Sequence, residues 1–118
     1  IGFFSYKDQC IFEKNEIFTL SGLTDRDLST IKNIFYRYPE IKSVRIFGSR
    51  SNGTFKEGSD IDLAIMNELI DKRILFRLKG EFEESSLPYF VDLLIFTELS
   101  NHALQKHILE EGFLIYQH

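Results

Sequence analysis

Cysteine is nearly absent from this chain. Cys10 stands alone, so no internal disulfide can form, and one thiol fits a reducing compartment, the cytoplasm. Nothing near Cys10 in the sequence supplies a base, which argues against a catalytic thiol. Tryptophan is missing, and the only prolines are Pro39 and Pro88. No apolar run approaches the roughly 18 residues needed to span a bilayer. No basic segment followed by an uninterrupted apolar one opens the sequence, so a secretory signal is not expected. Positive charge is in short supply: 14 Lys and Arg face 18 Asp and Glu, for a net charge of −4. That balance speaks against a surface that grips nucleic acid non-specifically, an affinity that comes from neutralising many phosphates. It leaves room for a single nucleotide, which needs only a few local donors. The chain has neither the Gly-Lys-Ser/Thr of a P-loop nor a G-x-G-x-x-G turn. His102 and His107 lie five apart on an expected helix and do not share a face, so a metal pair is not expected there.

What is present is concentrated in residues 48–63, GSRSNGTFKEGSDIDL. Strand side chains alternate between faces, so Asp60 and Asp62 point one way while Ile61, Leu63 and Ile65 point the other. One face is core, and the other carries two like charges that repel unless a cation sits between them. Upstream, Gly48-Ser49 follows the apolar strand Val44-Arg45-Ile46-Phe47 where the chain must turn. Glycine there lets backbone N–H groups approach an anion closely, and serine adds a hydroxyl donor. Separately, Asn52-Gly53 is also a hairpin signal, Gly-Ser is ordinary loop chemistry, and Asp-x-Asp can be a solvated strand edge. The combination reads as a metal–nucleotide site.

Along the chain, residues 1–20 stay unassigned, as an extension preceding a single domain over 21–118. Thr24 reads as the N-cap of a helix with Asp25 and Asp27 in its first turn and Leu28, Ile31, Ile34 and Phe35 on one stripe. Pro39 ends it. Strands are expected over 43–47 and 60–66, then a helix over 67–86 whose Lys72, Arg73, Arg77 and Lys79 form a solvated basic surface. Pro88 precedes a third strand through 90–96, a helix over 99–110 follows, and Gly112 terminates that helix before an apolar end at 113–116. Asp92 is the one acid inside the third strand's apolar run, costly to bury without a partner and otherwise readable as a strand-end cap.

Gly48-Ser49, ten residues from 50 to 59, and then Asp60-Ile61-Asp62 entering a strand resemble the signature of the polymerase β-like nucleotidyltransferases. The chain is most similar to their shortest members, the minimal nucleotidyltransferases, over roughly residues 23–116. The resemblance implies an α/β (α+β) fold with a mixed sheet of three or four strands and helices mainly on one face. It implies that Asp60, Asp62 and Asp92 are catalytic and hold two Mg²⁺ ions, hard cations that suit oxygen ligands. Gly48, Ser49 and Arg50, with Lys56 less directly, would face the phosphates of ATP, although plain surface roles for Arg50 and Lys56 are equally open. The implied reaction is attack of a hydroxyl on the α-phosphorus of a nucleoside triphosphate with loss of pyrophosphate. These 118 residues leave no room for the acceptor-binding helical domain of larger relatives. The resemblance therefore implies a helical HEPN-type partner that presents the acceptor, in a homo- or hetero-oligomer. In such pairs the partner is a toxin and the transferase its antitoxin, adding AMP to a toxin tyrosine. Two other readings stand beside it: a subunit modifying a small molecule or nucleic acid held by its partner, and a silent module that neutralises a partner by contact.

Overall fold

The computed structural model describes residues 21–118. The extension over 1–20, with Cys10, lies outside the described residues. The first complete element among the described residues is helix α1 (Asp25–Tyr36), which starts at Thr24 in a capping box. The Thr24 hydroxyl accepts from Asp27 N–H, and the Asp27 carboxylate accepts from Thr24 N–H, which satisfies two otherwise orphaned donors. Strand β1 (Ser43–Phe47) leads into a single helical turn, α2 (Ser49–Asn52), capped by Gly53 in the left-handed region at φ 80°. The Asn52-Gly53 signal thus closes a helical turn, not a hairpin. Strand β2 covers Ile61–Ile65, one residue short of the expected span at each end, which leaves Asp60 just outside.

Helix α3 (Lys72–Glu83) starts five residues later than expected because Asp71 is its N-cap, accepting from Arg73 N–H. Asn67, the expected first residue of that helix, is buried and ties two segments together. Its side-chain oxygen accepts from Lys42 N–H, and its amide donates to Glu40 O. Strand β3 (Val91–Ile95) ends in a short 3₁₀ turn over Phe96–Glu98. Helix α4 (His102–Glu111) has Asn101 as N-cap, and the apolar end is a fourth strand, β4 (Phe113–Gln117). Gly112 does terminate α4, but with φ −77° and not in the left-handed conformation. A Cβ there would sit 2.5 Å from Ile108 O and 3.0 Å from Ile46 O, so glycine is required for space.

The sheet order is β3-β2-β1-β4, with β2 and β3 parallel and the other pairs antiparallel. Helices α1 and α3 cover one face, where Leu28, Ile31, Ile34, Phe35, Leu78 and Phe82 join Val44, Ile46, Ile61, Leu63 and Ile65 in the main core. Burial of this kind stabilises by about 25 cal/mol per Å² of apolar surface, which makes this face the chief source of stability. Helix α4 packs on the other face through Ile108, against Phe47 and Ala64. Arg45 fixes its C-terminal end by donating to Ile108 O, which also accepts from Gly112 N–H, and to Gly112 O. No helix among the described residues is long and apolar enough to cross a membrane.

Candidate active site

Alternation along β2 puts Asp62 and Ala64 on the α4 face, opposite Ile61, Leu63 and Ile65. The parallel register sets Asp62 beside Asp92 on β3. Adjacent strands lie about 4.8 Å apart, so the two carboxylates are direct neighbours. Asp60 precedes the strand by one residue, and its charge reaches Asp62 as well. Burial, then repulsion from Asp92 and from Asp60, pushes the Asp62 carboxyl up to about 6. Arg50 acts in the opposite direction without cancelling this. Asp60 and Asp92 are exposed and Asp62 is half-buried, so the negative charge faces an open cleft at one end of the sheet.

The Gly48 turn closes the other side of that cleft. Gly48 has φ 78° and ψ −151°, and a Cβ built on it would stand 2.5 Å from Asp62 Oδ2. Glycine is needed twice here, for the backbone angle and for the space that the carboxylate occupies. The Gly48 carbonyl accepts from Ser51 N–H at 3.0 Å and from the Ser51 hydroxyl at 2.9 Å. Its N–H donates to His107 Nε2 at 2.9 Å. Ser49, the first helical residue, is half-buried beside it.

Arg50 has a different setting from the one expected of a phosphate ligand. It is 2% exposed. Its Nε and one terminal nitrogen donate to Ser59 O at 3.1 and 2.9 Å, and the other donates to Ser21 O. The guanidinium carbon lies 4.9 Å from the Phe55 ring centre and 4.3 Å from that of Tyr89, within cation–π range of both. Arg50 therefore binds the 53–59 loop to the domain and fixes the carbonyl immediately before Asp60. Lys56 is exposed in that loop, where its N–H donates to Ser59 Oγ at 2.8 Å. On α3, Lys72 pairs with Glu98 and Arg73 with Asp71 at the surface, as expected of a solvated basic face.

Sequence reasoning missed His107, because its contact with Gly48 spans 59 positions of the chain. The Nε2 atom that accepts from Gly48 carries no proton, so the ring's proton sits on Nδ1. That atom faces the Glu111 carboxylate at 3.4 Å. The i,i+4 spacing of His107 and Glu111 was readable, but the target of the ring was not. His102, at the start of the same helix, is exposed and does not join the site.

Among the described residues, no three carboxylate, imidazole or thiol groups are gathered tightly enough to enclose a metal ion. The donor set still fits a hard divalent cation. It offers carboxylates only, two of them in register, and a half-buried carboxyl driven toward protonation by burial and by its acidic neighbours. A cation would relieve that repulsion.

A family model described as Polymerase beta, Nucleotidyltransferase, matches residues 29–118. A Haemophilus influenzae protein named as a probable protein adenylyltransferase, MntA, is 34% identical over 101 residues, covering 85% of this chain and 87% of that protein. Among solved structures, a toxin–antitoxin with AMP-PNP superposes with TM-score 0.64 at 22% identity, over 78% of this chain and 74% of the other. A tri-AMPylated Shewanella oneidensis HEPN toxin in complex with an MNT antitoxin gives TM-score 0.53 at 18% identity, over 77% of this chain and 73% of the other. At those identities the structural likeness speaks for the fold.

Proposed function

The chain belongs to the polymerase β nucleotidyltransferase family, and from that premise we propose that it transfers AMP from ATP to a hydroxyl of a HEPN-type toxin partner, a tyrosine, in the cytoplasm. The observation that carries the reading is the placement of Asp62, which lies against the Gly48 turn on one side and beside Asp92 on the other. A nucleotide whose phosphates rest on the turn has its α-phosphorus next to the carboxylates. The 34% identity to a protein named as an adenylyltransferase supports ATP as donor and a protein as acceptor.

In this reading Asp60, Asp62 and Asp92 are the metal ligands and catalytic residues, and Mg²⁺ supplies neutralisation of the triphosphate when bound. Ser49, with the first backbone N–H groups of α2, holds the phosphates beyond the one being transferred. The acceptor oxygen bonds to the α-phosphorus, the bond to the bridging oxygen of the β-phosphate breaks, and pyrophosphate leaves. The acceptor's proton passes to Asp92, which lies on the edge strand where a partner can approach. Arg50 acts from beneath, holding the chain entering Asp60. The partner supplies the positioning of the hydroxyl, an effect that can lower a barrier by several kcal/mol.

The test is incubation with labelled ATP and Mg²⁺, alone and with the helical protein that copurifies. Label on a tyrosine of that protein, and little product without it, is the expected result. Label on a small molecule or nucleic acid with none on protein would replace this reading with the second one. Neutralisation of the partner without any transfer would replace it with the silent module.

A further inference from the structure

His107 reaches the Gly48 side of the cleft from α4, on the same face of the sheet as Asp62, and both of its ring nitrogens have partners. Nε2 accepts from Gly48 N–H at 2.9 Å, and Nδ1 faces Glu111 at 3.4 Å. The same ring meets Phe47, the residue before the turn, edge to face with centroids 6.2 Å apart. Gly48 is thereby held from both ends, its N–H by His107 and its carbonyl by Ser51. The helix that carries His107 is itself fixed by Arg45 and by Ile108 in the apolar layer beneath it.

We propose that His107 is a positioning residue for nucleotide binding: it orients the Gly48-Ser49 turn so that the Ser49 hydroxyl and the N–H groups of Ser49 and Arg50, and not the paired N–H groups of Gly48 and Ser51, meet the phosphates. Two observations lead there. Gly48 N–H is already spent on the imidazole, so it is not a free donor in the cradle. The turn depends on that bond for its angle, because Gly48 lies in a backbone conformation that few residues adopt and has the Asp62 carboxylate against it. Releasing the N–H would leave a donor unpaired and let the turn swing away from, or into, the carboxylate. Nucleotide affinity is then set partly by α4.

The inference rests on the nucleotidyltransferase reading, and the test separates the two. Binding of Mg²⁺–AMP-PNP is measured by calorimetry for the parent chain, His107→Phe and His107→Gln. Phenylalanine keeps the ring against Phe47 and removes the acceptor, whereas glutamine restores an acceptor of similar reach. His107→Phe is expected to raise Kd about tenfold, the effect of roughly 1.4 kcal/mol, with a melting temperature close to the parent's. His107→Gln is expected to recover most of the affinity. In the transfer reaction the same change should appear in KM for ATP with kcat at saturation little altered. Equal affinity for the parent and His107→Phe overturns the proposal and leaves the family function standing. A loss of affinity that follows an equal fall in melting temperature in both variants overturns it in favour of a packing role. A parent chain that binds no nucleotide overturns both this proposal and the function it rests on.

Discussion

Two charged regions lie within one loop of each other and are treated in opposite ways. Arg50 is buried, yet its donors reach two backbone carbonyls and its flat cation lies near two aromatic rings. Asp60, Asp62 and Asp92 are gathered at one end of a neighbouring strand pair, where burial and then mutual repulsion push Asp62 up to about 6. A buried charge that is fully hydrogen-bonded contributes to the fold, whereas a cluster of like charges costs stability until something positive neutralises it. The two regions also touch, since Arg50 is one of the groups that favours the ionised form of Asp62. Only ten positions separate Arg50 from Asp60, and the physics divides the two regions into a clamp and a cluster of like charges.

The sharpest way to break this comparison is to remove the clamp. Arg50→Ala leaves Ser59 O and Ser21 O without their donor and empties the space near Phe55 and Tyr89. A loss of about 3 kcal/mol is expected in urea unfolding. Arg50→Lys should recover part of it, because a point charge cannot reproduce the forked contacts. A variant of normal stability whose only defect was weak ATP binding would return Arg50 to the phosphates and dissolve the contrast.

The next test falls on the seam between the regions. Gly48→Ala must accept a positive φ and a Cβ 2.5 Å from Asp62 Oδ2, at about 2 kcal/mol of stability. Transfer should be lost with it, because the turn and the carboxylate cannot both keep their places. Combining it with Asp62→Ser should cost less than the sum of the two changes, a coupling that a double-mutant cycle measures. Strict additivity would mean that the turn and Asp62 do not bear on each other.

How far these regions were readable follows from the range of the interactions that build them. The carboxylates were legible because alternation within a strand is a local rule, and Asp60, Asp62 and Asp92 each stand out in an apolar run. The strands and the capped helix α1 were legible for the same reason. Arg50 was misjudged because a sequence shows a charge but not the two rings and two carbonyls around it, which come from residues 21, 55, 59 and 89. His107 was missed because its partner is 59 positions away. The expected helix from 67 overran because Asn67 satisfies the backbone of residues 40 and 42, a tertiary use that local propensity does not carry.

The smallest effect has the least common sign. Asp62 has its carboxyl raised from 3.8 to about 6 by burial and by its acidic neighbours. The folded state therefore holds that proton more tightly than the unfolded state, and ionisation costs stability. Acidification from pH 7 through 6 toward 4 should relieve this cost, so the contribution of Asp62 to stability rises as pH falls, opposite to a salt-bridged aspartate. At full value the shift corresponds to roughly 3 kcal/mol, and solvent screening of a half-exposed group reduces it to about 1 kcal/mol. Asp62→Asn should remove the cost at every pH. The metal-free variant is then expected to be about 1 kcal/mol more stable than the parent at pH 7 and nearly equal to it at pH 4, while transferring nothing. Unfolding curves of both proteins at the two pH values check this, and Mg²⁺ should stabilise the parent more than the variant. An Asp62→Asn protein less stable than its parent at pH 7 would make Asp62 a fold residue of the same kind as Arg50. The contrast between clamp and site would then have no basis.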